Sequence, residues 1–204
     1  EGRYGAAMER ALFALQNAPT FLPLHVTIGD ILLNQGKKSG AVAKYLAVAD
    51  VYTVQGKTER ALSMLKRVID LQPMNIEVRL RQIHLLEEFG QYENAIVEYI
   101  NLADVYWTLA ELESAREACE KALENASDLP GKNTWEERIL HRLADIDIQR
   151  LDWDSALQTY QKLISDFPRN QKASIAIVDL NFRLGKHARA DKEIERFINQ
   201  YPLP

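Results

Sequence analysis

Histidine and carboxylate side chains at helical spacing are the residues of this chain with the clearest capacity for chemistry. His141 and Asp145 stand one helical turn apart, with Asp147 two residues further on. That spacing sets two metal ligands side by side, but a site needs three or four, and no second cluster converges in the sequence. A surface hydrogen bond or the lining of a groove is the preferred role. His84 with Glu87 and Glu88 is a weaker candidate, because Glu-rich helix faces are ordinarily just solvated. Cys119, the one cysteine, falls on an apolar helix face, where a thiol acts as a small hydrophobe. No phosphate-cradling glycine loop, no paired metal-ligand cysteines and no His-Glu-x-x-His helix occurs. We therefore assign no catalytic residue, no metal and no cofactor, and expect no enzyme. What remains is recognition, which depends on the elements that carry these side chains.

Composition bounds those elements. The 204 residues are 47% hydrophobic and 26% charged, ordinary for a folded chain, with a net charge of -4. A nucleic-acid binder would usually show a basic stripe, so no nucleic-acid partner is expected. A single cysteine excludes an internal disulfide framework and fits a reducing, cytoplasmic setting. No apolar run approaches the roughly 20 residues of a membrane-spanning helix. The start, Glu1-Gly2-Arg3-Tyr4, has no apolar signal core and no initiator Met, so the chain is expected to be a piece of a longer protein.

The organisation is repetitive. Gly36, Gly56, Gly90 and Gly185 each close an apolar-periodic stretch, and each is followed five residues later by an alanine. Aligning on such alanines gives six 34-residue windows, at 22–55, 42–75, 76–109, 96–129, 137–170 and 171–204. Their twentieth position is always alanine: Ala41, Ala61, Ala95, Ala115, Ala156 and Ala190. Four residues on come Tyr45, Leu65, Tyr99, Cys119, Tyr160 and Ile194, and three further Val48, Val68, Leu102, Ala122, Leu163 and Phe197. That spacing is one face of a helix, with the alanine admitting a close neighbour and the larger residues filling the seam. Tyr45, Tyr52, Tyr99, Tyr106 and Tyr160 are expected to pack between helices. Pro73, Pro168 and Pro202 close their windows.

The pattern resembles the tetratricopeptide repeat, whose 34-residue unit is two antiparallel helices. Window 42–75 carries Tyr45, Val48-Ala49, Tyr52, Gly56, Ala61, Leu65, Val68 and Pro73 of its signature, and window 171–204 carries Gly185, Ala190, Phe197 and Pro202. The resemblance implies an all-α fold, an α-α superhelix or solenoid of about eleven antiparallel helices. Two departures stand out. Windows overlap pairwise, so 22–129 reads as two 54-residue super-repeats of three helices: Leu32, Gly36, Ala41, Tyr45 and Ala49–Tyr52 return as Leu86, Gly90, Ala95, Tyr99 and Ala103–Tyr106. Residues 130–136 are an insertion expected to form a loop, with a turn at Pro130-Gly131, and Thr134 with Glu137 is expected to cap the next helix. Residues 1–21, with Ala7, Ala11, Ala14 and Pro19, look like the lone second helix of a truncated unit. The expected organisation is one repeat domain over 1–204, ending in two 34-residue units at 137–204.

In the family, the first helix of each unit lines a concave groove, and its ninth position tends to face the ligand. Here that position holds Asp30, Asp50, His84, Asp104, Asp145 and Asp179. The resemblance thus implies an acidic ladder suited to basic side chains of a peptide or helix, mainly steering its approach. The alternative is a soluble face copied by duplication. Leu46, Leu80, Ile100, Trp107, Ile175 and Phe182 lie beside the ladder as candidate anchors, and Arg81, Asn101 and Arg142 at the sixth position could satisfy carbonyls or carboxylates. Units that clamp a C-terminal carboxylate carry Lys at the fifth and Asn at the ninth position; neither is present, so that clamp is not expected. The implied function is a protein–protein interaction scaffold. The alternative is a self-assembly or regulatory module of a larger protein, such as a bacterial transcription regulator, with self-association through an exposed apolar helix face.

Overall fold

The computed structural model describes residues 2–127, 129–130 and 132–201. Among them are eleven helices and no strand: α1 (Gly2–Asn17), α2 (Leu22–Asn34), α3 (Lys38–Val54), α4 (Thr58–Leu71), α5 (Ile76–Glu88), α6 (Tyr92–Thr108), α7 (Leu112–Ala126), α8 (Lys132–Gln149), α9 (Trp153–Asp166), α10 (Gln171–Arg183) and α11 (His187–Gln200). The eleven helices and the all-α class agree with the sequence pattern. Each 54-residue super-repeat is three helices, α2–α4 and then α5–α7. Pro202 and Gly131 lie outside the described residues.

Boundaries follow from capping chemistry. Asn75 and Asn170, each two residues after a proline, accept from the backbone N–H of Val78 and Ala173 at 3.1 and 2.9 Å, and Asp152 accepts from Ser155 at 3.1 Å. These side chains satisfy amides that the first helical turn leaves orphaned. Five residues before every twentieth-position alanine the backbone turns left-handed: Gly36, Gly56, Gly90 and Gly185 have φ between 67° and 76°, while Ala110 and Leu151 have φ 61°. Glycine takes that conformation freely, so only the last two turns are held against a steric cost.

The insertion departs from expectation. α8 begins at Lys132, so residues 132–136 are helical rather than loop, and Thr134 lies inside the first turns instead of capping them. Trp135 continues the Ile139–Leu143 stripe one turn upstream, which extends the helix past the apparent capping box.

Packing divides the chain into two compact units, Glu1–Gly90 and Gln91–Pro204, where the sequence suggested one array. Within each, consecutive helices pack side by side: α1 through α5 in the first, α6 through α11 in the second. In the first unit Ala11 of α1 meets Ile28 and Ile31 of α2, joined by Ala7, Met8 and Leu15. The six aligned alanines all have 0% exposure, as close helix approach requires. Tyr45, Leu65, Tyr99, Cys119 and Tyr160 are buried beside them, as are Val48, Val68, Leu102, Ala122 and Leu163. The final window differs: Ile194 and Phe197 at the same positions are only partly covered. Tyr52 is buried and Tyr106 partly so, which fits interhelical packing for the tyrosine set.

Candidate functional site

The ninth-position aspartates point their carboxylates at cations of the chain itself. In the first unit Asp30 on α2 accepts from Arg67 Nη1 of α4 at 2.6 Å, and Asp50 on α3 pairs with Arg81 of α5. In the second unit Asp104 on α6 pairs with Arg142 of α8, and Asp145 on α8 lies 3.4 Å from Lys172 Nζ of α10. Each of these four pairs joins a helix to the second helix after it. Asp179 instead accepts from Arg183 Nε, one turn on in its own helix, at 2.7 Å. His84, on α5, faces Glu88 of the same helix at 3.6 Å. Within each unit the aspartates therefore stand in ion pairs, not as bare carboxylates. The aspartate side chains are between 36% and 60% exposed and their cations between 26% and 62%, where a single pair contributes only about 0–1 kcal/mol.

Two rungs carry a second bond. The hydroxyl of Tyr45 donates to Asp30 Oδ1 at 2.6 Å, and that of Tyr160 donates to Asp145 Oδ1 at 3.1 Å. Burial, with the adjacent carboxylate, raises the pKa of both phenols above the ordinary tyrosine range. Arg67 also covers the Tyr45 ring at 5.4 Å, and the Arg142 guanidinium lies 4.4 Å from the centroid of Trp107. Trp107 is thus tied to the Asp104–Arg142 pair by a cation–π contact. Arg81 and Arg142 do satisfy carboxylates, but the chain's own, and Asn101 donates to Glu98 of its own helix at 3.2 Å. Of the candidate anchors, Leu80, Ile175 and Phe182 are exposed, Leu46 is partly covered, and Ile100 belongs to the core.

The one constellation with metal-ligand character is dispersed among protein partners. His141 Nε2 lies 2.8 Å from Asn170 Nδ2 with its ring edge-on to Tyr160, and burial followed by Lys172 lowers its pKa. Asp145 is taken by Tyr160 and Lys172. Asp147 is fully buried, and its Oδ1 accepts from Arg116 Nε and Arg150 Nη1, both at 3.0 Å. Arg116 also pairs with Glu120, and Arg150 with Glu113. This two-arginine clamp between α7 and α8 was not legible from spacing, since Asp147 and Arg116 are 31 residues apart. Among the described residues no three His, Cys, Asp or Glu side chains are placed to hold a metal ion. Cys119 is fully buried, and burial pushes its thiol up to about 12, so it is protonated and shielded at neutral pH.

Two family models, both described as tetratricopeptide repeat, match residues 93–167 and 141–201, together more than half of the chain. The chain belongs to the tetratricopeptide repeat family. Among solved structures it is similar to BtubC (BKLC) from P. vanneervenii, at 16% identity and a TM-score of 0.54, over 100% of this chain and 92% of that one. The MamA protein matches at 20% identity and a TM-score of 0.44, over 80% of this chain and 96% of that one. A tetratricopeptide repeat protein from Parabacteroides merdae ATCC 43184 matches at 23% identity and a TM-score of 0.39, over 100% of this chain and 75% of that one. At these identities the BtubC likeness shows the fold alone. Among the described residues no helix is long and apolar enough to cross a membrane.

Proposed function

We propose that this tetratricopeptide repeat chain is a protein–protein interaction scaffold that binds a peptide or helix of another protein along its aspartate-bearing helix faces. The observation that carries this is found in each unit separately, a solvent-reached aspartate–cation pair beside exposed apolar side chains: Asp50 and Arg81 with Leu80 in one unit, Asp179 and Arg183 with Ile175 and Phe182 in the other. Packing does not require charges there. Exposed pairs cost little to open, so a partner's Lys or Arg can exchange for the resident cation while the apolar side chains anchor it.

The test is the variant with Asp50, Asp104, Asp145 and Asp179 all changed to Ala. Partners that co-purify with the wild-type chain, once identified by mass spectrometry, are titrated against both forms by calorimetry. Weaker binding with a flatter salt dependence is expected; unchanged affinity and slope would refute the ladder. A second reading, self-assembly within a larger protein, is favoured by Leu12 and Phe13 on α1, which are 49% and 69% exposed. Light scattering at high concentration decides it, since a strict monomer counts against self-association.

A further inference from the structure

Helices α5 and α10 open on the same device, an asparagine two residues after a proline, but the two asparagines are held by different chemistry. Asn75 caps α5, and its Nδ2 donates to the neutral Gln72 Oε1 at 2.9 Å. Asn170 caps α10, and its Nδ2 serves Glu137 Oε1 at 2.7 Å and His141 Nε2 at 2.8 Å, both on α8. The cap commits Asn170 Oδ1 to the Ala173 N–H, so the amide nitrogen with its two hydrogens must face α8. His141 can then only accept at Nε2, which places its own proton on Nδ1, a buried atom without a partner among the described residues. The cap of α10 thus depends on a neutral imidazole, whereas that of α5 rests on an amide that does not titrate.

We propose that His141 is a proton-operated latch on the α9–α10 junction: neutral, it holds the Asn170 cap in place, and protonated, it drives the cap off. A proton on Nε2 sets one N–H against another at 2.8 Å, and the carboxamide cannot turn over without giving up the Ala173 N–H. The groups around the ring pull in opposite directions. Glu137 and Asp145 of α8 attract the proton and Lys172 of α10 repels it, while the ring lies edge-on to Tyr160 of α9, whose hydroxyl is spent on Asp145. Asp166 and Arg169 line an open cleft together with Glu137 and Asn170, so water reaches the cap. Burial is the largest influence and, with Lys172, it wins, so the imidazole of the folded chain titrates below its ordinary value. The stability that the latch gives is therefore fully present above about pH 6.5, the unfolded value, and is lost as pH falls from there through the lower folded value. What loosens is the start of α10: the Ala173 amide, and Lys172 with its bond to Asp145. The latch stands whether or not the aspartates bind a partner.

The whole chain is followed by NMR, with the His141 ring as the titration probe and amide hydrogen exchange at Ala173 and Val78 as the readout. We expect the His141 midpoint to lie below that of the same chain unfolded in urea. Protection of the Ala173 amide, corrected for intrinsic exchange, should fall about threefold or more between about pH 7.5 and about pH 5, while that of Val78 stays level. His141→Gln, whose Oε1 accepts from Asn170 and does not titrate, should level the Ala173 profile. Asn170→Ser keeps a capping oxygen but removes the opposing N–H, so it should raise the His141 midpoint toward the unfolded value. A midpoint at or above the unfolded one, or Ala173 protection that does not fall with pH, overturns the proposal. So does an unchanged midpoint in Asn170→Ser, since burial alone would then hold the imidazole neutral. Loss of Val78 protection in step with Ala173 would mark a general weakening in acid and would overturn the latch as well. Should His141→Gln fail to fold, Asn170→Ser carries the decision.

Discussion

Hairpins α8–α9 and α10–α11 share a fold and a register yet solve the same positions with opposite chemistry. The eleventh position is Asp147, fully buried under two arginines, on the first; it is Asn181, buried with a bond from Nδ2 to the Ile177 carbonyl at 2.8 Å, on the second. The fifteenth is left-handed Leu151 on one and left-handed Gly185 on the other. The twenty-fourth is buried Tyr160 against partly open Ile194. A hairpin enclosed between α7 and α10 carries charge, strain and a buried phenol that the surrounding packing holds in place. The hairpin at the open face uses a neutral amide, a glycine and an aliphatic side chain. Enclosure, more than sequence identity to the repeat, decides what a position tolerates.

The largest expected difference lies at the eleventh position. Asp147→Ala removes a fully buried carboxylate that bridges Arg116 and Arg150, which keep Glu120 and Glu113, so the loss of two charged hydrogen bonds should cost about 2–4 kcal/mol. Asn181→Ala removes one hydrogen bond from a neutral amide whose Oδ1 already lacks a partner among the described residues, a loss of about 1–2 kcal/mol. Urea denaturation of the two variants gives the ordering directly. An Asp147→Ala variant no less stable than Asn181→Ala would mean that enclosure does not set the cost.

At the fifteenth position the signs should oppose. Leu151 is 74% exposed and left-handed, so Leu151→Gly forfeits little packing and relieves a conformational cost of about 1–2 kcal/mol. Gly185→Ala should lose a similar amount, and for purely backbone reasons, because an added Cβ there meets nothing within 4 Å. Thermal melts in parallel test the pair; stabilisation by both or by neither breaks the comparison.

The same position shows how much of the fold could be read from residues alone. Four glycines marked the turns, and the alanines after them fixed the register of the helices that follow, because both obey steric rules that act within a few residues. Ala110 and Leu151 adopt the turn with no local signal, held by packing on either side. The start of α8 was missed for a related reason: Thr134 and Glu137 mimic a cap, while the Trp135–Ile139–Leu143 stripe that overrides it gains its energy from burial. The aspartates were visible, but their arginine and lysine partners come from the second helix along, and no spacing rule in one chain gives the rotation between two packed helices.

The smallest effect expected is at the twenty-fourth position. Tyr160→Phe deletes the hydroxyl bond to Asp145, worth about 1 kcal/mol at neutral pH. Because burial raises the Tyr160 pKa in the folded chain, its protonated form is the one that the fold stabilises. That contribution is fully present below the unfolded tyrosine value of about 10 and fades as pH rises beyond it toward the folded value. Phenylalanine does not titrate, so the stability gap between wild type and variant should narrow above about pH 10 while every other group titrates equally in both. Ile194→Val, the matching change on the open hairpin, should give a gap of a few tenths of a kcal/mol up to about 1 kcal/mol that does not move with pH. Urea titrations at neutral pH and just above 10 separate the two: a Tyr160→Phe gap that widens with pH would show that the folded protein does not hold the phenol in its protonated form.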